Sequence, residues 1–151
     1  MKIRWLWMLA LMWVLIGCSL STRTKGPAVS TAFRLSITPN DALGRFDVLL
    51  ESEDAHPLCL TIEQWPNPLG QLGGWKGQAK VVLADAELSS KLNNFGYCPI
   101  NCTGLTITRK QPLHGFIAYD QFASPEPLAT VADKRLVFDV QPSVCHKAFL
   151  F

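Results

Sequence analysis

The sequence predicts an all-β domain, a small antiparallel β-sandwich, and three observations favour it. Apolar residues recur in short runs with a period near two, which is typical of strands with one buried face. Turn-forming Gly, Pro, Asn and Asp separate the runs, which favours an antiparallel sandwich or barrel over βαβ units. The body of the chain also carries four cysteines that are suited to disulfide staples. We therefore predict a sandwich of about seven strands.

The strands follow from the alternation of apolar and polar residues, which places every second side chain on the same face. In the third predicted strand, Cys59 is expected on the face opposite to its apolar neighbours. The side chains expected on buried faces are Phe46, Val48 and Leu50 of the second run and Leu58, Leu60 and Ile62 of the third. The plan is immunoglobulin-like or that of a related sandwich, with predicted strands at 33–37, 45–50, 58–62, 79–83, 105–108, 115–119 and 136–140.

One short helix is expected after the fourth strand. Asp85 is a suitable N-cap residue, and Leu88 and Leu92 lie one turn apart on one face of such a helix. Glu87 and Lys91 have the spacing of an i,i+4 ion pair. The helix is too short to change the fold class.

The first seventeen residues have the pattern of a secretory signal. Lys2 and Arg4 form a basic start, and Trp5–Ile16 is an unbroken apolar run that ends at Gly17. A basic start, about a dozen apolar residues and a small residue at the end are typical of such a signal. A bilayer-spanning helix needs about 20 apolar residues, so this run is short for a membrane anchor.

The residues Leu15-Ile16-Gly17-Cys18 resemble the lipobox of bacterial lipoproteins. The resemblance implies that the chain is cut before Cys18, which is lipidated. Several acyl chains on one residue anchor a protein stably, whereas one chain does not. Ser19 stands where Asp commonly signals inner-membrane retention in that family, so the resemblance implies the outer membrane, with the domain facing the periplasm. The alternative is a plain signal peptide with a chance cysteine.

This interpretation divides the chain into a signal peptide (1–17), a lipidated flexible tether (18–32) and a single β-sandwich domain (33–151). Without Lys2 and Arg4, the mature chain has 12 basic and 12 acidic residues and no net charge. Nucleic-acid binding requires a basic stripe, which the sequence does not contain.

Four cysteines remain for an oxidising compartment, so two disulfides are expected. Three connectivities are open. The preferred pairing is Cys98–Cys102 with Cys59–Cys145, because the second bond ties a middle strand to the end of the chain. The three histidines are scattered along the sequence, so we predict no metal site and no cofactor.

The segment from Gln64 to Lys76 is the first candidate for function, since long loops often carry binding residues. It contains Trp65 and Trp75 among prolines and glycines, and tryptophan is a frequent hot-spot residue of protein interfaces. Leu69 and Leu72 complete this predicted partner-binding surface. The alternative is that both tryptophan rings fold back over the core.

A second candidate surface contains Phe95 and Tyr97 beside the cysteines at 98 and 102. A disulfide there would make the loop rigid, and rigid loops bind at lower entropic cost. The alternative is a purely structural staple.

The predicted function is protein binding without catalysis, because the sequence contains no nucleophile motif. Small disulfide-stapled lipoproteins of this plan are similar to inhibitor or immunity lipoproteins that neutralise a periplasm-acting enzyme, such as a type VI secretion effector. The alternative is an accessory lipoprotein of a secretion or envelope-assembly machine. We expect a periplasmic protein partner, a membrane contact through the lipid alone, and neither nucleic acid nor a small-molecule cofactor.

Cys18→Ala is expected to abolish incorporation of labelled palmitate and to leave the chain uncleaved by the lipoprotein peptidase. The Cys98→Ala variant leaves the lipobox intact and is the matched control, which should keep the label. Metabolic labelling followed by membrane fractionation measures both. A wild-type protein that takes up no label would contradict the lipobox interpretation.

Overall fold

A computed structural model describes residues 29–73, 75–93, 104–122 and 125–145. Within these ranges the chain forms nine strands and one short α-helix, and every strand pairing is antiparallel. The elements are β1 (Phe33–Asn40), β2 (Arg45–Ser52), β3 (Leu58–Leu60), β4 (Ala79–Val82), β5 (Glu87–Ser89), β6 (Leu105–Ile107), β7 (Leu113–Ala118), α1 (Pro125–Thr130), β8 (Arg135–Phe138) and β9 (Ser143–Val144).

The strands form three small sheets with the orders β1-β2-β7, β6-β3-β9 and β5-β4-β8. The all-β class, the antiparallel pairing, one short helix and a disulfide are confirmed. Each of the seven predicted strands overlaps an observed one, and β5 and β9 add two more. The finer plan, two stacked immunoglobulin-like sheets, stays a prediction.

The β1–β2 hairpin is the longest paired unit, with eight residue pairs in register. Its turn is a 3₁₀ segment, Asp41–Leu43, that ends at Gly44 with φ of 60°, a left-handed conformation that glycine adopts without strain. Residues of β2 alternate between buried and partly exposed. The predicted buried face of this strand is therefore confirmed.

The third predicted strand ends earlier than the sequence suggests. Leu58 and Leu60 are buried as expected, but Ile62 begins a 3₁₀ turn and is exposed. The side-chain oxygen of Gln64 accepts a hydrogen bond from the Thr61 N–H at 3.3 Å, which ends the strand and starts the turn. The assignment of Ile62 to the buried face is wrong for this reason.

The predicted helix after the fourth strand is wrong, because the segment forms a hairpin. The N–H of Leu83 donates to the carbonyl oxygen of Ala86 at 2.9 Å and closes a turn around Asp85. Strand β5 follows, and its Glu87 carboxylate lies 2.7 Å from the Lys80 ammonium on β4. Cross-strand pairing thus replaces the expected helical pairing with Lys91.

Leu88 and Lys91 illustrate why the hairpin is favoured. Leu88 lies opposite Val81 in the β4–β5 register and packs against the core, so the sheet buries one face of the segment. The Lys91 ammonium donates to the carbonyl oxygen of Asp120 at 2.8 Å. The described helix lies instead at α1, which starts at a proline, a residue favoured in the first helical position.

All three sheets contribute to one hydrophobic core. Phe46 is central, and its ring centroid lies 4.8 Å from that of Tyr119 and 6.2 Å from that of Phe122, both in edge-on geometry. The shared cluster also contains Leu50, Leu58, Val81, Ile107, Ile117 and Phe138. The sheets therefore depend on each other for burial of their apolar faces.

An ion pair between a buried lysine and a half-exposed aspartate joins the β1–β2 turn to the loop before β8. The Lys134 side chain is 1% exposed, and its ammonium lies 2.8 Å from an Asp41 carboxylate oxygen. The Tyr119 hydroxyl donates to the same oxygen at 2.6 Å. The hydrogen bond from Lys134, and to a lesser degree that from Tyr119, lowers the pKa of Asp41. Burial, and to a lesser degree the hydrogen bond to Asp41, raises the pKa of Tyr119.

The predicted Cys59–Cys145 disulfide is confirmed, with Cα atoms 5.0 Å apart and a sequence separation of 86. It joins β3 to the residue that follows β9. Cys98 and Cys102 lie outside the described residues, as do the signal segment and the first part of the predicted tether, so those assignments stay predictions.

The last residues of the predicted tether already contact the domain. Val29 forms an isolated bridge with Ser143, and the Ser30 N–H donates to the carbonyl oxygen of Pro142 at 2.9 Å. No helix in the described part of the chain is long and apolar enough to cross a membrane.

Replacing both Cys59 and Cys145 with serine is expected to lower the free energy of unfolding by roughly 2–5 kcal/mol, since a long loop loses its cross-link. Replacing both Cys98 and Cys102 is the control, and its effect should be smaller because that loop is short. Urea unfolding of the oxidised proteins measures both. Equal losses in the two double variants would contradict this account.

Candidate functional site

The segment that follows β3 packs against β7, and its first aromatic residue belongs to the core. Trp65 is 4% exposed, and its ring centroid lies 5.9 Å from that of Phe138. At Gly115 of β7, a Cβ atom would lie 2.8 Å from the Trp65 indole nitrogen. Only glycine lets the indole lie this close to the strand.

The expectation that Trp65 and Leu72 form a binding surface is therefore corrected. Both side chains are buried, with Trp65 4% and Leu72 2% exposed, so neither offers the exposed side chain that was expected of a contact residue. Trp65 follows the alternative considered for this loop, in which the ring folds inward. Burial is favoured because an indole removes a large apolar area from water.

Residues 67–71 form a compact loop that the Asn67 side chain organises. Its amide oxygen accepts hydrogen bonds from the N–H of Leu69 at 2.9 Å and of Gln71 at 3.0 Å. The N–H of Gly70 donates to the Asn67 carbonyl oxygen at 2.8 Å. Leu69 stands at the tip of this loop and is 70% exposed, as predicted for a contact residue.

The loop is fixed to the end of β7 by a hydrogen bond and by close packing. The Ala118 N–H donates to the carbonyl oxygen of Gly70 at 3.0 Å. Gly70 has φ of 74°, and a Cβ atom there would collide with the Phe116 ring. The Arg45 guanidinium covers the Phe116 ring at 4.6 Å from its centroid. The loop that carries Leu69 is therefore held at both ends.

An apolar groove of about 600 Å³ lies between this segment and strands β6 and β7. Glu63, Asn67 and His114 supply its polar side chains. The apolar walls are formed by Ile62, Pro66, Pro68, Leu105, Leu113 and Phe116.

The groove exists because two strands separate after a shared turn. Thr108 and Gln111 exchange two backbone hydrogen bonds of 3.1 and 3.2 Å across that turn. Beyond it, β6 pairs with β3 while β7 pairs with β2. The space between the two strands opens into the groove, and Pro68 places Leu69 next to it.

Among the predicted contact residues that the structure describes, Trp65 alone lines the groove, while Leu69 follows the lining residue Pro68 and Leu72 is buried. Trp75 is 39% exposed but does not line it. Phe95 and Tyr97 lie outside the described residues. The groove walls from β6 and β7 were missed by sequence reasoning, since only the pairing of each strand shows which edge stays open.

The acidic residues at the end of β2 and directly after it are engaged in ion pairs and hydrogen bonds. The Arg34 guanidinium lies 3.2 Å from the Glu53 carboxylate and 3.9 Å from that of Glu51. A backbone hydrogen bond from His56 lowers the pKa of Asp54. Across the described ranges, no group of three or more His, Cys, Asp or Glu side chains is arranged to hold a metal ion.

No protein-family model, curated protein or solved structure matches this chain.

Proposed function

We propose that the protein is a lipid-anchored periplasmic binding module, an inhibitor or immunity lipoprotein that neutralises a periplasm-acting enzyme by contacting it at the groove. The observation that carries this proposal is an open apolar groove of about 600 Å³ beside a loop with an exposed leucine at its tip. Exposed apolar surface of this kind marks interaction sites in soluble domains.

The rigidity of the loop supports a binding role for Leu69. Asn67 and Gly70 hold the tip through backbone hydrogen bonds, and Ala118 fixes the loop to β7. A contact residue that is already held in place loses little conformational freedom on binding. The loop thus presents its apolar tip at low entropic cost.

The lipobox supports a location at the outer membrane, facing the periplasm. Cys18 would carry the lipid, and the described domain begins at Val29. The eleven residue steps between them span at most roughly 35–40 Å when fully extended. The distance from the membrane to the groove would therefore be at most the length of this tether plus the width of the domain.

The absence of net charge on the mature chain predicts how the partner is recognised. Strong electrostatic steering requires a field of one sign over the surface. Association should therefore depend on local apolar burial and be only weakly sensitive to salt.

The Leu69→Glu variant is expected to weaken partner binding at least tenfold, about 1.4 kcal/mol, because it adds a charge to the apolar contact. The Leu43→Glu variant is the matched control, since Leu43 is a leucine of similar exposure (61%) in the β1–β2 turn, whereas Leu69 directly follows the groove-lining Pro68. Trp75→Ala tests the second exposed aromatic residue. Capture from periplasmic extract with the mature chain (18–151) carrying Cys18→Ser, followed by titration of the captured protein, measures all three.

Inhibition of a captured enzyme by the wild-type protein, lost with Leu69→Glu, is the expected result. A captured component of a secretion or envelope-assembly machine would support the accessory alternative. Loss of binding with Trp75→Ala alone, or equal binding by Leu69→Glu and Leu43→Glu, would contradict the groove as the contact site.

A further inference from the structure

Among the described residues, strand β7 pairs with another strand along only one of its two edges, the edge next to β2. In an antiparallel pair, alternate residues exchange backbone hydrogen bonds with the partner strand, and the residues between them point their N–H and C=O groups the other way. Gly44 and Tyr119 are the next residues in register after the Arg45–Ala118 pair. The Tyr119 N–H donates to the carbonyl oxygen of Gly44 at 2.9 Å, so this position forms a hydrogen-bonded pair. Ile117, Gly115 and Leu113 therefore bond to β2 by the same alternation.

The remaining residues of β7 direct their backbone groups away from β2. Ala118 provides independent evidence, since its N–H donates to Gly70 in the loop and not to β2. His114 and Phe116 share this orientation. Within the described part of the chain, no backbone hydrogen bond from another strand or loop occupies their outward N–H and C=O groups.

The unused stretch of edge borders the apolar groove. His114 and Phe116 both line the groove, with Leu113 beside them and Leu105 on the opposite wall. An extended peptide laid along this edge would meet hydrogen-bonding groups on β7, and every second side chain would enter the apolar space. Unpaired strand edges are sites for the addition of a further strand.

The charge at the groove indicates one feature of the added segment. Glu63 is the only lining residue with a formal charge at neutral pH, and it forms no ion pair among the described residues. A basic side chain at the end of the incoming segment would complement it, and an acidic one would be repelled.

On the basis of the binding function proposed above, we propose that the partner protein inserts an extended segment into the groove as an added strand on the free edge of β7 at His114–Phe116. The segment carries apolar side chains at alternate positions and a basic residue that reaches Glu63. Its main chain bonds to β7, and its side chains fill the space between β6 and β7.

Hydrogen exchange in the free mature chain tests the open edge. The amides of His114 and Phe116 should exchange much faster than those of Gly115 and Ile117, which bond to β2 within the same strand. Equal protection of all four amides would overturn the proposal, since the edge would then already be covered.

Binding of peptides tests strand addition directly. Short random peptides displayed on phage are selected on the mature chain carrying Cys18→Ser, and the best binder is synthesised with and without N-methyl groups at alternate backbone positions. The peptide is methylated in two versions, one at the odd and one at the even positions. Methylation of the set that faces β7 should weaken binding at least about tenfold, because it removes the main-chain hydrogen bonds while the side chains stay. A selection without binders, or a binder that tolerates both versions of methylation, would overturn the proposal.

His114→Pro and His114→Thr form the matched pair on the protein side. Proline removes the outward N–H and blocks the edge without breaking a bond to β2, whereas threonine keeps the N–H. His114→Pro should weaken peptide binding at least about tenfold, and His114→Thr should change it by less than about twofold. If His114→Pro does not fold, the methylated peptides still decide the question.

The outcomes separate strand addition from the broader function. A natural partner that is lost with Leu69→Glu but still bound by His114→Pro would leave the binding function standing and overturn strand addition. A wild-type dimer that His114→Pro dissociates would assign the edge to a second copy of the chain and also overturn the proposal. Failure to capture any partner would count against the binding function itself.

Discussion

The close contact between the Trp65 indole and the backbone of Gly115 is the constraint on which the candidate functional surface depends. A buried indole needs a smooth, close surface to replace the water it loses. Gly115 provides that surface, since any Cβ atom would lie 2.8 Å from the indole nitrogen. The segment after β3 is therefore held against β7 at this point, and the hydrogen bond from Ala118 to Gly70 holds it a few residues later. The groove is the space left between these two attachments and β6.

A second interaction determines which edge of β7 faces that space. The Lys134–Asp41 ion pair and the hydroxyl of Tyr119 hold the β1–β2 turn next to the end of β7. The turn ends at Gly44, whose carbonyl oxygen accepts the Tyr119 N–H. This bond continues the hydrogen-bond alternation of the β2–β7 register, so the charge cluster of buried Lys134 and half-exposed Asp41 stabilises the end of the sheet from which that alternation runs to the groove. The cluster would be costly without its partners, since a buried ammonium needs compensation.

The sequence predicted what depends on local pattern. Alternating apolar residues were enough to find seven strands and the buried face of β2, because a strand with one buried face leaves that signature. The even number of cysteines and the expected oxidising compartment predicted disulfides, and Cys59–Cys145 was the preferred pair because it ties a middle strand to the end of the chain. The helix at Asp85 was wrong because residues 87–91 fit an i,i+4 ion pair and a hairpin equally well, and the long-range contact of Leu88 with the core decided between them.

The proposed binding site was only partly predictable. Loop composition drew attention to the segment around Leu69, but composition does not reveal whether a tryptophan beside prolines faces water or the core. The groove walls on β6 and β7 depend on which strands pair, and this is decided by contacts between residues far apart in sequence. His114 carries no sequence signal, since its importance lies in the direction of its backbone N–H.

The most direct test of the central contact is a double-variant cycle between Gly115→Ala and Trp65→Phe, read as the free energy of urea unfolding. Gly115→Ala alone should cost roughly 1–3 kcal/mol, because the added methyl group overpacks the indole. In the Trp65→Phe background the same substitution should cost less by at least about 0.5 kcal/mol, since a smaller ring leaves room for it. If the two losses simply add, the indole and the glycine are not coupled, and the groove must be held in place by something else.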